Sequence, residues 1–317
     1  MPTIRHPRAT FLVLAFAPAA LFAASSAASA RTLEVGPGKS YQQPSAAIAA
    51  AQPGDTVSIA AGQYFDCAVI KTDHLTIEGS APNAAAVLTD KQCAGKGLLV
   101  TDGNDITIRN LTLTRVRVPD GNGAGIRAEG RDLTVDHVKF INNQDGILGN
   151  DNPGSTIIVR DSFFQRNGTC DAYCAHGIYV GAVKLLRVEN SVFTETQHAH
   201  NIKSRAALTE VIGCDISDGP EGTSSYQIDI PSGGGLVVRN TKMEKGPKSE
   251  NHTTAIILGE EGVGQPTPQI TITDNTLRND GTYPTLLVDN LTATPAMLSG
   301  NKLIGKVTPL KGDGQVR

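Results

Sequence analysis

Hydrophobic and polar residues alternate in a short unit that recurs along most of the chain. Its clearer half has an aliphatic residue first, Asn, Asp, Gly or His third, and a large apolar residue sixth. Seven such segments align without a gap, starting at Ile108, Val135, Val159, Val188, Val211, Val238 and Ile272. Alternation with period two predicts strands, and Asn, Asp or Gly at the third place suits a left-handed bend. Each segment is therefore predicted to turn a corner between two strands.

The other half of the unit supplies a second apolar column. Its members are Ile126, Ile147, Ile178, Ile202, Ile228, Ile256 and Leu286. Their irregular spacing fits strands that stay in register while one connecting loop varies in length. Short strands with fixed corners and one variable loop are typical of a parallel β-helix. We therefore predict an all-β chain that forms a parallel β-helix solenoid of about nine to ten coils.

The start of the chain has the pattern of a signal peptide. Arg5 and Arg8 are basic, residues 11–23 are apolar, and Ala28-Ser29-Ala30 resembles a cleavage site. We predict that residues 1–30 are a signal peptide, that residues 31–317 are a single β-helix domain, and that the protein is secreted or periplasmic. The Ala-rich residues 45–51, followed by Pro53-Gly54, predict a short helix that caps the first coil. The run after Gly305 is the candidate for the other cap.

Neither the charge of the chain nor its apolar segments indicate nucleic acid or a membrane as a partner. The chain has 33 Gly, no Trp and a formal net charge of -3, which suits many short strands joined by turns. Because it has no basic tail and no Lys/Arg run, nothing indicates nucleic acid. No stretch beyond the leader is long and apolar enough to predict a membrane span. The expected form is a monomer.

Five cysteines in an exported chain predict disulfides. Cys170 and Cys174 are close together in one loop, and Cys67 and Cys93 flank neighbouring early segments, so these are the predicted pairs. Cys214 is left over. It falls in a column of small residues, which predicts a buried free thiol.

Titratable side chains concentrate on four consecutive strands of the second column. The residues directly after the column include Tyr179, Lys203 and Asp229, with Arg127 two strands before Tyr179. The residues two places before it include Asp145, His176, His200 and Tyr226. Neighbouring coils are about 4.8 Å apart, so these side chains should form two adjacent rows, with Arg205 beside Lys203. This concentration is the strongest functional signal in the sequence.

Four early segments resemble right-handed parallel β-helix proteins of the pectate-lyase-like superfamily. They are Val35-Gly36-Pro37-Gly38, the Ala-rich helix, Pro53-Gly54-Asp55-Thr56-Val57 and Ala61-Gly62-Gln63-Tyr64. With the columns that follow, the resemblance covers nearly the whole chain after the leader, and it implies a right-handed coil. It leaves the activity open, because the same coils carry lyases, hydrolases, esterases, epimerases, tailspikes and adhesins.

The residue types on this face suit proton abstraction from an acidic polysaccharide. In a lyase or epimerase reaction, a base removes the proton next to a uronate carboxylate while cations stabilise the charge that develops. Arg205 is predicted to bind the carboxylate, Lys203 or His176 to be the base, and Tyr179 to protonate the leaving oxygen. The predicted substrate-binding residues are Asp145, His200, Asn201, Asp229 and Arg127.

Other interpretations stay open. Asn143-Gln144-Asp145-Gly146, Ala175-His176-Gly177-Ile178 and Asn201-Ile202-Lys203 resemble polygalacturonase-type glycosidase motifs, but only one carboxylate matches where inverting hydrolysis needs two. A non-catalytic glycan-binding or cell-surface structural protein would have the same groove. Asp145 and His176 would then cap turn amides, and Lys203 with Asp229 would be a cross-strand ion pair.

No cofactor is identified from the sequence. His198 and His200 lack a third ligand at a spacing that would predict a metal site. The calcium-binding aspartates of typical pectate lyases are not evident, and a requirement for Ca²⁺ is left open.

Overall fold

Three parallel sheets run along the described part of the chain. The computed structural model describes residues 1–4, 29–82, 85–170 and 173–317. The chain visits the three sheets in turn, and the two shorter sheets have ten strands each, which corresponds to ten complete coils. The predicted right-handed parallel β-helix is confirmed. The predicted signal peptide falls largely on residues 5–28, which lie outside the described residues, and it stays a prediction.

The strands are short, and each sheet is ordered along the chain. Sheet 1 consists of Thr32–Val35, Thr56–Ile59, Thr76–Gly79, Ile106–Arg109, Leu133–Asp136, Asn152–Arg160, Val183–Glu189, Leu208–Ile212, Gly235–Arg239, Ile270–Thr273, Ala296–Ser299 and Gly314–Val316. Sheet 2 consists of Gly62–Tyr64, Ala86–Thr89, Leu111–Thr114, Lys139–Ile141, Phe163–Gln165, Val192–Thr194, Asp215–Ser217, Lys242–Lys245, Thr276–Asn279 and Lys302–Ile304. Sheet 3 consists of Ala68–Ile70, Gly97–Thr101, Ala124–Ala128, Asp145–Gly149, Ile178–Val180, Ile202–Ser204, Ile228–Ile230, Thr254–Leu258, Thr285–Asn290 and Val307–Gly312.

The six-residue segments form the corner between sheets 1 and 2. The third residue of every segment has a left-handed φ, between 48° and 66°, the conformation that Gly, Asn and Asp tolerate best. Asn110, with φ 56°, connects Ile106–Arg109 to Leu111–Thr114. The first and sixth residues of all seven segments are buried. The predicted corner is therefore confirmed.

Three phenylalanines at the sixth place stack in the centre of the coil. The ring centroids of Phe140 and Phe164 are 4.6 Å apart, and those of Phe164 and Phe193 are 4.4 Å apart. A Cβ on Gly146 would lie 2.8 Å from the Phe164 ring and 2.4 Å from the carbonyl oxygen of Gly177. Glycine at this place lets the ring and the next coil approach the strand entrance, where the candidate site begins.

Small polar side chains line the corner and bond from one coil to the next. The backbone N–H of Ser162 donates to Oγ of Ser191 at 3.2 Å, and that of Cys214 donates to Oγ1 of Thr241 at 3.3 Å. Cys214 is buried and unpaired, and burial raises the pKa of its thiol to about 11. The predicted buried free thiol is confirmed, and its role is packing within this column.

One position of the second column was predicted wrongly. Ile256 pairs with Val288, whereas Leu286 pairs with Thr254. Val288 therefore continues the column, and the outward neighbour of Ile257 is Asp289. Because residues 286–288 are all apolar, alternation does not indicate which of them occupies the column.

The two ends of the coil differ. At the start, the helix Pro44–Ala50 buries Pro44, Ala47 and Ile48 and covers the first coil, as predicted. At the other end, the segment after Gly305 continues the coil as two strands, so it is not a separate cap.

Both expected disulfides are present. Cys67 bonds to Cys93, and Cys170 bonds to Cys174 across a small antiparallel hairpin. Across the described ranges, no helix has the length and apolar character needed to cross a membrane.

Candidate active site

A cleft of about 860 Å³ lies over the outward side of sheet 3. The predicted residues that line it are Arg127, Asp145, His176, Tyr179, His200, Lys203 and Arg205. Tyr173, on the hairpin that Cys170 and Cys174 close, forms part of one wall. The register of sheet 3 places Tyr179 beside Lys203 and Lys203 beside Asp229. The sequence therefore predicted which side chains meet along this face.

A ladder of hydrogen bonds holds the row at the strand entrances. Oδ1 of Asp145 accepts the backbone N–H of His176 at 2.6 Å, and Nδ1 of His176 accepts that of His200 at 3.2 Å. Nδ1 of His200 in turn accepts the backbone N–H of Tyr226 at 3.3 Å. Each side chain thus caps the amide of the same position on the next coil. Asp145 and His176 therefore cap backbone amides, as one interpretation of the sequence expects, and both residues also line the cleft.

These bonds determine the tautomers of both histidines. Burial, supported by neighbouring cations that include Lys203, lowers the pKa of His176 well below its usual range and that of His200 to about 3. Both rings are therefore neutral. Because Nδ1 of each ring accepts a hydrogen bond, the ring proton is on Nε2. His176 offers the cleft an N–H donor, and the predicted role of His176 as the base does not fit this arrangement.

Asp145 gives the stability of the protein a pH dependence. Burial raises the pKa of its carboxyl group to about 8, far above the value near 3.9 expected in the unfolded chain. Between about pH 4 and pH 8 the folded chain keeps a proton that the unfolded chain releases, so stability falls as the pH rises through this window.

Asp145→Asn is expected to remove this contribution, which is up to about 1.4 kcal/mol per pH unit. The amide oxygen of Asn can still accept the N–H of His176. Guanidinium denaturation of both proteins at several pH values in this window measures the two slopes. Parallel slopes would show that Asp145 does not hold the proton.

A hydrogen bond joins Tyr179 and Arg205 inside the cleft. The Nε–H of Arg205 donates to Oη of Tyr179 at 3.0 Å. Nζ of Lys203 lies 5.8 Å from the centre of the same ring. A hydrogen bond from a permanent cation stabilises negative charge on the phenolic oxygen. The arrangement places a phenolic hydroxyl close to two cations.

Two carboxylates hold Lys203 in its charged form. Nζ lies 3.3 Å from Oδ2 of Asp229 and 2.6 Å from Oε1 of Glu261. Burial disfavours the ammonium, but the two carboxylates outweigh burial and raise the pKa of Lys203 above its usual value. A lysine base needs a lowered pKa. The predicted role of Lys203 as a base is therefore not supported, and its charge suits binding of a carboxylate.

Two of the predicted substrate-binding residues do not face the cleft. Asn201 is fully buried, and its side chain bonds to Thr196 at 2.6 Å and Ser224 at 3.2 Å. It occupies the place that glycine takes beside the phenylalanine stack. Asp229 is also fully buried, behind Lys203. Burial also raises the pKa of Asp229 to about 7, against the opposing effect of Lys203. Both residues support the site from beneath.

Arg127 lies at the other end of the cleft from Lys203. Its Nη2 donates to Oδ1 of Asn150 at 2.9 Å, and its Nε is 3.6 Å from Glu129. These contacts leave it at the wall of the cleft, three coils from Arg205. Arg127 is therefore set apart from Lys203 and Arg205, the other two cations that line the cleft.

Glu261 was not predicted from the sequence. It belongs to the connection after strand Thr254–Leu258, two coils beyond Lys203, and it forms ion pairs with both Lys203 and Arg205. The sequence does show an acidic, glycine-flanked run, Gly259-Glu260-Glu261-Gly262. Nothing in that run indicates that it folds back across two coils.

One group of side chains near the cleft has the spacing of a metal site. Atoms of His200, Asp229 and Glu260 lie within 4.8 Å of one another. A ligating His normally donates through its other ring nitrogen, whereas Nδ1 of His200 accepts a hydrogen bond and leaves the proton on Nε2. Lys203 already pairs with Asp229. These residues therefore do not fit a bound cation.

The chain matches known proteins in fold. The crystal structure of alginate lyase from Paenibacillus sp. str. FPU-7 has a TM-score of 0.68 and 18% identity, over 90% of this chain and 99% of that chain. Pectin methylesterase from Aspergillus niger has a TM-score of 0.43 and 11% identity, over 90% and 85%. The A-module of mannuronan C-5 epimerase from Azotobacter vinelandii has a TM-score of 0.40 and 14% identity, over 86% and 93%.

The likeness to the alginate lyase structure agrees with the strand order. The fold is a right-handed parallel β-helix. No protein-family model and no curated protein sequence matches the chain. A shared β-helix does not assign an activity, so the function has to be argued from the cleft.

Proposed function

We propose that this protein is an exported lyase that cleaves an acidic, uronate-containing polysaccharide by β-elimination. The observation that carries the proposal is the Tyr179 hydroxyl in the cleft, bonded to Arg205 and beside Lys203. The cleft thus combines a hydroxyl group that can transfer a proton with two cations that can bind a carboxylate. The fold shared with an alginate lyase is consistent with such a substrate.

Each part of the reaction has a residue in the cleft. Tyr179, with negative charge on its oxygen stabilised by Arg205, takes the proton from the carbon next to the carboxylate. Lys203 and Arg205 stabilise the charge that moves onto the carboxylate. A double bond forms between the α and β carbons, the bond from the β carbon to the leaving sugar oxygen breaks, and Tyr179 returns the proton to that oxygen. The Nε2–H of His176 is a further hydrogen-bond donor to the substrate.

An epimerase is the second candidate, since it shares the first step. The same proton is removed, and the carbon is then protonated from the opposite face with no bond to the leaving sugar broken. The site contains one neutral, buried carboxyl group, Asp145, two coils from Arg205. A second proton donor on the opposite face is the feature that would favour epimerisation.

A panel of alginate, pectate, hyaluronan and chondroitin tests the proposal. The mature protein should raise the ultraviolet absorbance of unsaturated uronates and produce new reducing ends with one polymer. Reducing ends without absorbance would indicate hydrolysis, and a changed sugar composition by NMR without either signal would indicate an epimerase. No change with any polymer, but binding in affinity electrophoresis, would favour a non-catalytic glycan-binding protein. Parallel assays with EDTA and with added Ca²⁺ test the calcium requirement.

Export is tested separately. The full-length chain produced in a bacterial host should appear outside the cytoplasm with Arg31 as its N-terminal residue. Retention of residues 1–30 on a cytoplasmic product would contradict the predicted signal peptide.

A further inference from the structure

The carboxylate of Glu261 occupies the position that a substrate carboxylate would need. It accepts from Nζ of Lys203 at 2.6 Å and pairs with Arg205 through its other oxygen. Lys203 is nearly buried, and the Glu261 side chain is 41% exposed. The two cations assigned to substrate binding are thus neutralised by the protein itself. A uronate can reach them only if the Glu261 side chain moves away.

The backbone of this connection is held independently of the Glu261 side chain. The N–H of Glu261 donates to the carbonyl oxygen of Pro231 at 3.0 Å, and Nε2 of Gln265 donates to that of Arg205 at 2.8 Å. Oε2 of Glu260 accepts the hydroxyl of Tyr226 at 2.9 Å. The side chain of Glu261 can therefore rotate into solvent while its backbone stays in place.

If a substrate carboxylate replaces that of Glu261, Lys203 and Arg205 remain paired with a negative charge. A neutral sugar that displaced Glu261 would leave Lys203 with Asp229 as its remaining carboxylate partner, and Arg205 with only the hydroxyl groups of Tyr179 and Ser232. A partly buried cation without a partner is costly, so a neutral polymer is rejected by the loss of this pair. Specificity is then obtained partly by penalising the wrong ligand.

We infer that Glu261 is a specificity-determining residue that competes with the substrate carboxylate and restricts the cleft to acidic polysaccharides. The inference rests on the proposed function, because it takes Lys203 and Arg205 as the substrate-carboxylate site. It adds that the ligand-free cleft contains an internal substitute for the substrate group.

Glucuronate and glucose are the probes, since they share a pyranose ring and differ in the carboxylate. Glu261→Gln should bind glucuronate about tenfold or more tightly than the original protein, because no internal carboxylate competes. Glucose should also bind Glu261→Gln more tightly than the original protein, because it no longer has to displace a carboxylate from the two cations, but it should bind each protein more weakly than glucuronate does. NMR titration of the folded proteins measures both affinities, and Glu260→Gln is the matched control on the same connection. The control should leave glucuronate affinity unchanged.

Glucuronate affinity that stays equal or falls in Glu261→Gln, with an unchanged melting temperature, would overturn the inference. Polymer cleavage by the original protein would then leave the proposed function standing. Conversely, tighter glucuronate binding in the variant, with no reaction on any polymer, would retain the carboxylate site and refute the lyase. The two failures are therefore distinguishable.

Discussion

Tyr179→Phe is expected to reduce turnover of the acidic polymer by about 10²–10⁴-fold, the usual contribution of a positioned proton-transfer group. The substitution removes one hydroxyl, whose oxygen accepts from Arg205 at 3.0 Å. It leaves the ring that lies beside Lys203 and His176. Because Lys203 and Arg205 still bind the carboxylate, KM should change much less than kcat. Initial rates of unsaturated uronate formation over a range of polymer concentrations measure both.

Tyr226→Phe is the matched control. Its hydroxyl bonds to Glu260 at 2.9 Å, and its ring packs against His200. Turnover in this variant should stay within a few-fold of the original protein. If Tyr179→Phe kept its activity, the proton would have to move through another group, and His176→Gln would then be the variant to examine.

The fold was predictable because it depends on local patterns that repeat. Each corner needs one residue that accepts a left-handed φ, and Asn110 and its equivalents supply it. Each strand then needs only alternation to bury one side. The predicted register was wrong where this alternation is missing, at the successive apolar residues Leu286, Leu287 and Val288.

The candidate site was predictable in position but not in chemistry. The rows that contain Tyr179 and His176 follow directly from register, since parallel coils place equivalent residues side by side. The proton positions do not follow from register. They depend on a backbone amide that fixes the His176 tautomer, and on Glu261, which reaches Lys203 from two coils away.

The burial of Asn201 and Asp229 could not be predicted from the register either. Both residues have the polarity of surface positions, yet both are fully buried. Asn201 stands in the column where earlier coils carry Gly146 and Gly177, and on the coil after it Ile216 takes the place of the phenylalanine. Such an exchange between neighbouring coils is a packing effect, and a single strand's alternation does not indicate it.

Phe164→Ala is expected to destabilise the coil by about 3–5 kcal/mol, the range found when a buried aromatic ring is truncated. Phe164 is fully buried between Phe140 and Phe193, with ring centroids 4.6 Å and 4.4 Å away. Both neighbours would lose a stacking partner, and Gly146, which packs against the ring, would border a cavity. Because the chain has no Trp, guanidinium denaturation followed by far-ultraviolet circular dichroism measures the change.

Phe164→Leu separates the loss of the ring from the loss of an apolar side chain. The same place in other coils is occupied by Leu113 and Leu277, so leucine fits the inward position. It should cost less than half as much as alanine, since a smaller cavity remains. Equal losses for the two variants would show that ring stacking, and not filled volume, stabilises this part of the coil. If Phe164→Ala lowered the free energy of unfolding by less than about 1 kcal/mol, the neighbouring coils would have moved to close the cavity. A close-packed interior resists such movement.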